Sequence, residues 1–193
     1  MRDIGTLTGD FGYSIALGTN ADGTVVVGSS TFPGSQNPSN QHAFRWTTAG
    51  MVDIDPSGTY PSIAFAVSAD GSVIIGTGAG RGGFRWTSGT GIKDLNVLLA
   101  DARVNMAGIT LDNARAVSAN GQLIVGNGSF PEGQRAYLIR YYDGTPAVSV
   151  TPIAGLTSVA SVQQSVNDLA AARAGAAAQS HGFAAPCSAV TSR

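Results

Sequence analysis

The sequence predicts an all-β fold in which three four-stranded antiparallel repeats form a propeller-like array, an incomplete ring, followed by a C-terminal helix. Three observations lead to this prediction. One glycine-punctuated segment occurs three times along the chain, 26 of the 193 residues are glycine, and only 12% are Asp, Glu, Lys or Arg. The usual charged fraction is about 25%, so this composition is typical of short strands joined by tight turns.

The three copies align without gaps. They are ALGTNADGTVVVG from Ala16, AFAVSADGSVIIG from Ala64 and ARAVSANGQLIVG from Ala114, at offsets of 48 and 50 residues. Four short strands in a period of about 40 to 50 residues are typical of a propeller blade, and propellers close with about four to eight blades. A β-solenoid is the alternative, although its repeats are usually about 20 to 30 residues long.

Each unit begins with a predicted hairpin. Asp22-Gly23, Asp70-Gly71 and Asn120-Gly121 predict tight two-residue turns with positive φ angles. The aliphatic run after each turn predicts a strand buried on both faces, and the glycine that ends the run predicts the next bend. These runs are 25–27, 73–75 and 123–125, and the glycines are Gly28, Gly76 and Gly126.

Two further strands complete each unit. Phe44-Arg45-Trp46 and Phe84-Arg85-Trp86 alternate apolar and polar residues, as expected of a half-buried third strand. Asp53-Ile54 and Asp94-Leu95 predict the fourth strand. Within a repeat region 1–150, we expect repeats at about 1–50, 51–95 and 96–150, then a linker and amphipathic helix at 151–186 and an unpatterned tail at 187–193.

The C-terminal helix is predicted from an apolar stripe at three- and four-residue spacing. Its members are Leu156, Val159, Val162, Val166 and Leu169. Strong helix formers continue the pattern, so the prediction covers 156–178. A helix packed on the repeats and a disordered alanine-rich tail are the alternatives.

The first unit contains the motif His42-Ala43-Phe44-Arg45-Trp46. Together with the hairpin before it and the segment 50–54 after it, this motif resembles the bacterial HAF repeat family of extracellular repeats. The resemblance covers about residues 1–140. The later copies have Gly82-Gly83 and Arg135-Ala136 in place of His-Ala, so the histidine cannot be a shared functional group. The segment before the tail resembles the stretch that precedes the translocator barrel of autotransporters. This resemblance implies a secreted or cell-surface passenger whose predicted helix passes through an outer-membrane barrel absent from this chain.

Sequence features at both ends predict that the chain is a fragment of a longer protein. The segment Met1-Arg2-Asp3-Ile4 matches residues 51–54 in the register of the repeat. The start of the sequence does not have the basic residues followed by an apolar run that are typical of a signal peptide. The tail from Cys187 is brief and polar where an autotransporter would continue. We therefore expect a chain truncated before its outer-membrane barrel, from a parent that carries further repeats.

Charge and cysteine content exclude several classes of function. The net charge is −1 with no basic run, which excludes a nucleic-acid partner. The lone cysteine allows neither an intrachain disulfide nor a Cys-rich metal cluster.

Two glycine motifs resemble ligand sites. Residues 78–83 match G-x-G-x-x-G, but the strand-like segment 84–87 follows where a dinucleotide site needs a helix N-terminus. Residues 20–23 resemble the start of a calcium loop that lacks its acidic twelfth ligand, so turn chemistry is the favoured interpretation. The sequence therefore predicts no cofactor and no metal.

Catalytic side chains are equally scarce. Only His42 and His181 could act as imidazole bases, and they lie in different segments, so a Ser/His/Asp arrangement is not expected. Four aspartates could pair as glycosidase carboxylates, but turns and strand ends explain most of them. They are Asp53, Asp55, Asp94 and Asp101. Arg45 and Arg85 recur beside Trp46 and Trp86, which favours stacking or salt bridges.

These patterns predict no catalytic residue and favour a non-enzymatic surface module, part of an autotransporter passenger that adheres to or interacts with an extracellular protein or glycan. The alternative is a fragment of a secreted carbohydrate-active or proteolytic enzyme whose catalytic part is missing, which clustered, non-repeated polar residues would support. A structural spacer, which would bind no ligand, is a third possibility. An unclosed array also predicts self-association through open sheet edges.

Overall fold

A computed structural model describes residues 1–9, 12–35, 37, 40–56, 60–78, 80 and 82–141. Within these residues the chain forms strands β1 (Ser14–Thr19), β2 (Val26–Thr31), β3 (Gln41–Thr47), β4 (Gly50–Asp53), β5 (Ser62–Val67), β6 (Ile74–Gly78), β7 (Gly82–Thr87), β8 (Gly91–Asp94), β9 (Thr110–Val117), β10 (Leu123–Phe130) and β11 (Gly133–Arg140), and helix α1 (Leu95–Asp101). The predicted helix 156–178 and the tail 187–193 lie outside the described residues.

The strands form three antiparallel sheets that follow one another along the chain. Their orders are β1-β2-β3-β4, β5-β6-β7-β8 and β9-β10-β11, so strands adjacent in sequence are adjacent in each sheet. The predicted all-β array of repeated antiparallel sheets is confirmed. The described residues contribute three strands to the third sheet, and its fourth predicted strand would lie beyond residue 141.

Helix α1 follows β8 directly and was not predicted. The Asp94 side chain accepts a hydrogen bond from the Asn96 backbone N–H at 2.7 Å, which caps the helix. Its buried residues, Leu95 and Leu99, face the core. The fourth strand therefore ends at Asp94, and Leu95 begins a helix because a capping residue and a run of helix-forming leucines follow each other here. No helix in the described part of the chain has the length and apolar character needed to span a membrane.

Two apolar layers hold the sheets together face to face. One layer joins the first sheet to the second, and the other joins the second sheet to the third. The first contains Val25, Val27, Ala43, Ile54, Ala64, Ile74 and Phe84, and the second includes Val73, Ile75, Leu95, Leu111, Ala114, Ile124, Tyr137 and Ile139. The prediction of a strand buried on both faces is confirmed for β6, because Ile74 belongs to one layer and Ile75 to the other.

The predicted hairpins are in the right places but have a different turn. Ser68 and Val73 close the second hairpin, with the Ser68 N–H donating to the Val73 carbonyl at 2.9 Å, so the loop has four residues rather than two. Of its residues only Gly71 has a positive φ, 74°. The wider turn is favoured because side chains bind its backbone: Ser68 Oγ accepts from the Val73 N–H at 3.0 Å, and Asp70 Oδ1 from the Ser72 N–H at 3.0 Å.

The glycines predicted to mark bends lie inside strands instead. They are Gly28 in β2, Gly76 in β6 and Gly126 in β10. A Cβ atom at Gly76 would collide with the Ile63 carbonyl oxygen, and it would lie only 2.7 Å from the Phe84 ring. Strand β5 bulges between Ala64 and Ala66 at this point. The glycine is needed because a bulged neighbour and an aromatic ring both approach its α-carbon.

Candidate functional site

A cleft of about 680 Å³ lies where the second sheet meets the third. Residues of β5, the β6–β7 hairpin, the junction of β8 and α1, and the beginning of β9 line it. Its volume falls within the range of about 300–1,000 Å³ that is usual for small-ligand pockets. Pro61, Ile63 and Ile109 give it apolar surface, and threonine, asparagine and aspartate side chains also line it. This mixture of apolar wall and few polar groups is typical of a binding site.

The Asn96 side chain connects helix α1 to the third sheet by hydrogen bonds at one side of the cleft. Its Nδ2 donates to Asp94 Oδ1 at 3.0 Å and to the Leu111 carbonyl at 3.2 Å, and its Oδ1 accepts from the Leu111 N–H at 2.7 Å. The Asp94 carboxylate is thereby held in place through Oδ1. Among the described residues, the hydrogen bonds to the Asp94 side chain all reach Oδ1.

Asp112 provides a second carboxylate. Its Oδ2 accepts hydrogen bonds from Ser129 Oγ and Gln134 Nε2, both at 3.0 Å, and its backbone carbonyl accepts from Thr77 Oγ1 at 2.9 Å. Within the described part of the chain, Asp112 Oδ1 accepts none. Two aspartates, Asp94 and Asp112, are thus among the described residues that line the cleft.

The Tyr60 ring packs close to Gly80, one of the glycines that line the cleft. A Cβ atom at Gly80, which lines the cleft, would lie 3.5 Å from Cδ2 of Tyr60. Tyr60 is 60% exposed. Exposed aromatic rings beside a cleft are favourable contact surfaces for ligands, because they bury apolar area with little loss of side-chain freedom.

The glycine-rich motif is part of this cleft. Gly78 ends β6 and Gly82 begins β7, so the prediction that a strand follows the glycines is confirmed. The helix N-terminus that a dinucleotide pyrophosphate requires is replaced here by a β-hairpin. Gly78, Gly80 and Gly82 line the cleft.

His42 occupies a closed position in the first sheet. Its side chain is 3% exposed, its Nδ1 lies 2.8 Å from Asp53 Oδ2, and its ring stacks on Phe32 with centroids 3.9 Å apart. Its Nε2 is buried and has no hydrogen-bond partner among the described residues. The imidazole therefore braces β3 against β4 and is not accessible to a substrate. His181 lies outside the described residues.

The candidate aspartates do not form one site. Asp3, Asp53 and Asp94 hold equivalent positions, because each side chain accepts from the backbone N–H two residues later, at 2.9, 2.8 and 2.7 Å. The interpretation of Asp53 and Asp94 as strand ends is confirmed, since they end β4 and β8. Asp55 is buried beyond β4, and Asp101 is exposed at the end of α1.

The candidate calcium motif is a turn. Asp22 Oδ1 accepts hydrogen bonds from the backbone N–H of Thr24 at 3.0 Å and from its hydroxyl at 2.6 Å. These bonds confirm the interpretation of this segment as turn chemistry. In residues 1–141, leaving out the gaps, no three His, Cys, Asp or Glu side chains are grouped so that they could hold a metal ion.

Arginine stacking crosses between sheets. The Arg85 guanidinium carbon lies 4.5 Å from the centroid of the Tyr141 ring, and burial lowers the pKa of Arg85. Arg115 of β9 lies 4.4 Å from the Phe65 ring of β5, a contact that the sequence did not indicate. The stacking role predicted for Arg85 is confirmed, with a ring of the neighbouring sheet rather than its own tryptophan as partner.

The sequence reasoning missed the residues that distinguish the cleft. Asp112 stands where the second copy has Ser62, and Asn96 stands where the first unit has Asp55, so neither belongs to the repeated pattern. This departure from the repeat was the only signal in the sequence. Tyr60 carries no signal of its own.

Comparison with known proteins found no protein-family model and no curated protein that matches this sequence. The similarity to HAF repeats therefore stays a prediction made from the motifs.

Proposed function

We propose that this chain is a non-enzymatic interaction module of the bacterial surface, the end of an autotransporter passenger whose stacked sheets present a binding surface. The observation that carries the proposal is a division of roles among the side chains. Recurring turn residues join the sheets, whereas Asn96 and Asp112, which lie outside the repeated pattern, line the cleft between the second and third sheets.

The recurring turns show the first role. The Ala21 N–H donates to the Ala69 carbonyl at 3.2 Å, and the Ala69 N–H donates to the Ala119 carbonyl at 2.9 Å. Equivalent turns of successive sheets are therefore joined in the same way. Such nearest-neighbour contacts allow units to be added one after another, as in extended repeat proteins that act as binding surfaces.

The non-repeated residues support the second role. Asn96 and Asp112 are held by several hydrogen bonds, so the side chains that face the cleft are preorganised. A preorganised polar group loses little conformational freedom when a ligand binds. This property favours binding at the cleft.

A second candidate function rests on the same cleft. Asp94 and Asp112 both line it, and glycoside hydrolysis uses two carboxylates on either side of the bond that is cleaved. A carbohydrate-active enzyme would use one of them as a protonated acid. The two functions differ in whether a bound sugar is cleaved.

Binding and catalysis can be separated with one preparation of the full chain. Labelled protein is incubated with intact bacteria, immobilised matrix proteins and immobilised glycans, and the same glycans are analysed by mass spectrometry after a day. Saturable binding without change in glycan mass is the expected result. If the glycan is hydrolysed and the D94N variant abolishes this hydrolysis, the chain is an enzyme and the proposed non-enzymatic function is wrong. If the chain binds none of the three surfaces saturably, the structural spacer is the interpretation that remains.

Surface location is tested separately in the bacterium that encodes the chain. Antibody against the repeats should label intact cells, and external protease should remove the label. Labelling that requires permeabilised cells would contradict a surface module.

A further inference from the structure

We propose that the outer side of the first sheet is a docking surface for one further unit of the same repeat. This surface, the acceptor face, consists of Ala16 in β1, Val26 in β2 and the glycine of the turn that joins them, Gly23. Docking of a unit here is an interaction of its own, beyond the proposed binding of cells, matrix or glycans.

The second and third sheets use the equivalent apolar positions to receive their neighbours. Two residues of each sheet belong to the apolar layer on the side of the preceding sheet, and all four are 0% exposed. They are Ala64, Ile74, Ala114 and Ile124. In the first sheet, Ala16 at the first of these positions is exposed, and Val26 at the second is half-buried. Apolar surface that is exposed where the repeat normally buries it favours association with a partner.

The turn glycine provides a space for one side chain of the partner. A Cβ atom at Gly71 would lie 2.7 Å from Cγ2 of Val25, and one at Gly121 would lie 2.7 Å from Cγ2 of Val73. In both interfaces the valine two residues after a turn glycine therefore packs on the turn glycine of the next sheet. Gly71 and Gly121 are buried, whereas Gly23 is exposed, and a Cβ atom there would meet no described atom within 4 Å. A valine from a further unit would fit at this position.

The backbone of the turns sets the direction in which a unit can add. The Ala21 N–H donates to the Ala69 carbonyl, and the Ala69 N–H donates to the Ala119 carbonyl. A unit that docks in the same way would donate from its own turn to the Ala21 carbonyl. The contact is therefore directional, since the donor comes from the added unit and the acceptor from the first sheet.

Residues 1–9 lie beside the acceptor face. The Arg2 guanidinium lies 5.1 Å from the Trp46 ring centroid, and the Asp3 side chain accepts from the Gly5 N–H at 2.9 Å, the bond that also follows β4 and β8. These residues thus resemble the end of a unit. In the interface between the first two sheets, β1, β2 and β3 contact β5, the strand that corresponds to β1. The acceptor face is therefore where the first three strands of a docked unit would lie.

A separate unit fits this surface better than a second copy of the chain. The third sheet of a second copy would have to supply Leu123, which stands two residues after its turn glycine and is already buried, 9% exposed. Val25 and Val73 of a second copy pack within its own stack. The favoured partner is a unit with the sequence Gly-x-Val at its turn, which residues 1–50 contain as Gly23-Thr24-Val25.

The test places an additional copy of residues 1–50 in front of the full chain. Gly50 of the added copy is then followed by Met1-Arg2-Asp3-Ile4, which corresponds to the segment 50–54. The lone cysteine is removed with C187S, and A16C provides one thiol on the acceptor face. The thiol should react with a maleimide at least about tenfold more slowly in the extended chain than in the parent, because reaction with a buried thiol requires local opening.

Two controls exclude other causes of slow reaction. V97C places the thiol at a position of α1 that is 54% exposed, and it should react at the same rate in both chains. An added segment of the same composition in scrambled order should leave the reaction of A16C unchanged. All rates are measured at a concentration where sedimentation velocity shows monomers.

Adjacent valines of the added copy test the contact itself. Val25 belongs to the apolar layer that faces the next sheet, whereas Val26 lies on the opposite side of β2. V25D in the added copy should restore the reaction rate of the parent at A16C, because an unpaired charge is unfavourable in an apolar contact. V26D in the added copy should leave the thiol protected.

Three outcomes would overturn the acceptor face: equal reaction rates of A16C in the parent and the extended chain, protection that the scrambled segment reproduces, or protection that V25D and V26D reduce alike. The proposed function fails separately, because it is measured with the unextended chain. Protection of A16C together with no saturable binding to cells, matrix or glycans would keep the acceptor face and contradict the surface module.

Discussion

At the scale of single residues, the most informative position is the aspartate of the recurring turn. Hydrogen bonds from the Ser68 hydroxyl and from Ser72 lower the pKa of Asp70 to about 2. In the third unit Asn120 takes the same place, and its Oδ1 accepts from the Gln122 N–H at 3.2 Å. Either residue can bind the backbone of the turn, but only the aspartate makes the turn sensitive to pH.

This difference predicts a pH effect on stability. A lowered pKa in the folded state stabilises the protein above the unfolded-state pKa of about 3.9, and that contribution is lost as the pH falls through about 2. Between pH 4 and pH 2, D70N should therefore lose less unfolding free energy than the parent. The difference should stay below about 1 kcal/mol, because Asp70 is exposed and solvent weakens the interaction.

Urea unfolding at a series of pH values measures this difference. The reciprocal variant N120D should acquire a similar loss of stability in the same pH range. Parallel pH profiles for the parent and D70N would show that the turn bonds do not favour the ionised form.

At the scale of elements, the turns connect the sheets as well as the strands within them. The Ala69 N–H reaches the Ala119 carbonyl of the next sheet. A Cβ atom at Gly71 would lie 2.7 Å from Cγ2 of Val25, so the turn of the second sheet also packs on the first. A hairpin that local sequence favours thus becomes part of the interface between units.

A proline substitution at the second position of the turn tests the contact between sheets separately from the connection between strands within a sheet. A69P keeps a turn that accepts proline but removes the N–H that donates to Ala119, and it should lower the unfolding free energy by about 1 kcal/mol. A119P changes the equivalent turn position of the third unit, whose N–H donates to no described residue. It should have little effect. Equal destabilisation of the two variants by chemical denaturation would show that the bond between turns contributes nothing.

At the scale of the whole molecule, the chain is a stack with different ends. Residues 1–9 lie on the outer side of the first sheet: the Leu7 N–H donates to Ser30 Oγ at 3.0 Å, and the Arg2 guanidinium lies 5.1 Å from the Trp46 ring centroid. Among the described residues, strand β1 pairs with β2 alone, and Ile15 and Leu17 are exposed on it. An apolar edge strand is a ready surface for pairing with another chain.

We propose that purified chains associate through the free edge of β1. I15K places a charge on this edge and should shift the chain toward monomer, because a charged edge strand resists pairing. V97K adds the same charge to an exposed position of α1 and should not change association. Sedimentation velocity over a concentration series measures the effect. Equal association of both variants would contradict pairing through β1.

The sequence by itself determined the repeat, the class of fold and most strands, because turn residues and alternating or continuous apolar runs act over a few neighbouring residues. The same local signals placed Asp53 and Asp94 at strand ends. They did not reveal that Gly76 admits a bulge and an aromatic ring, since the partner atoms belong to other strands.

Only the tertiary structure brought together the cleft. Ile63, Asp94 and Asp112 are far apart along the chain and line one cleft because the second and third sheets stack on a shared apolar layer. The hydrogen bonds that hold the two aspartates depend on which neighbours the stack supplies, and no pattern within a single repeat contains that information.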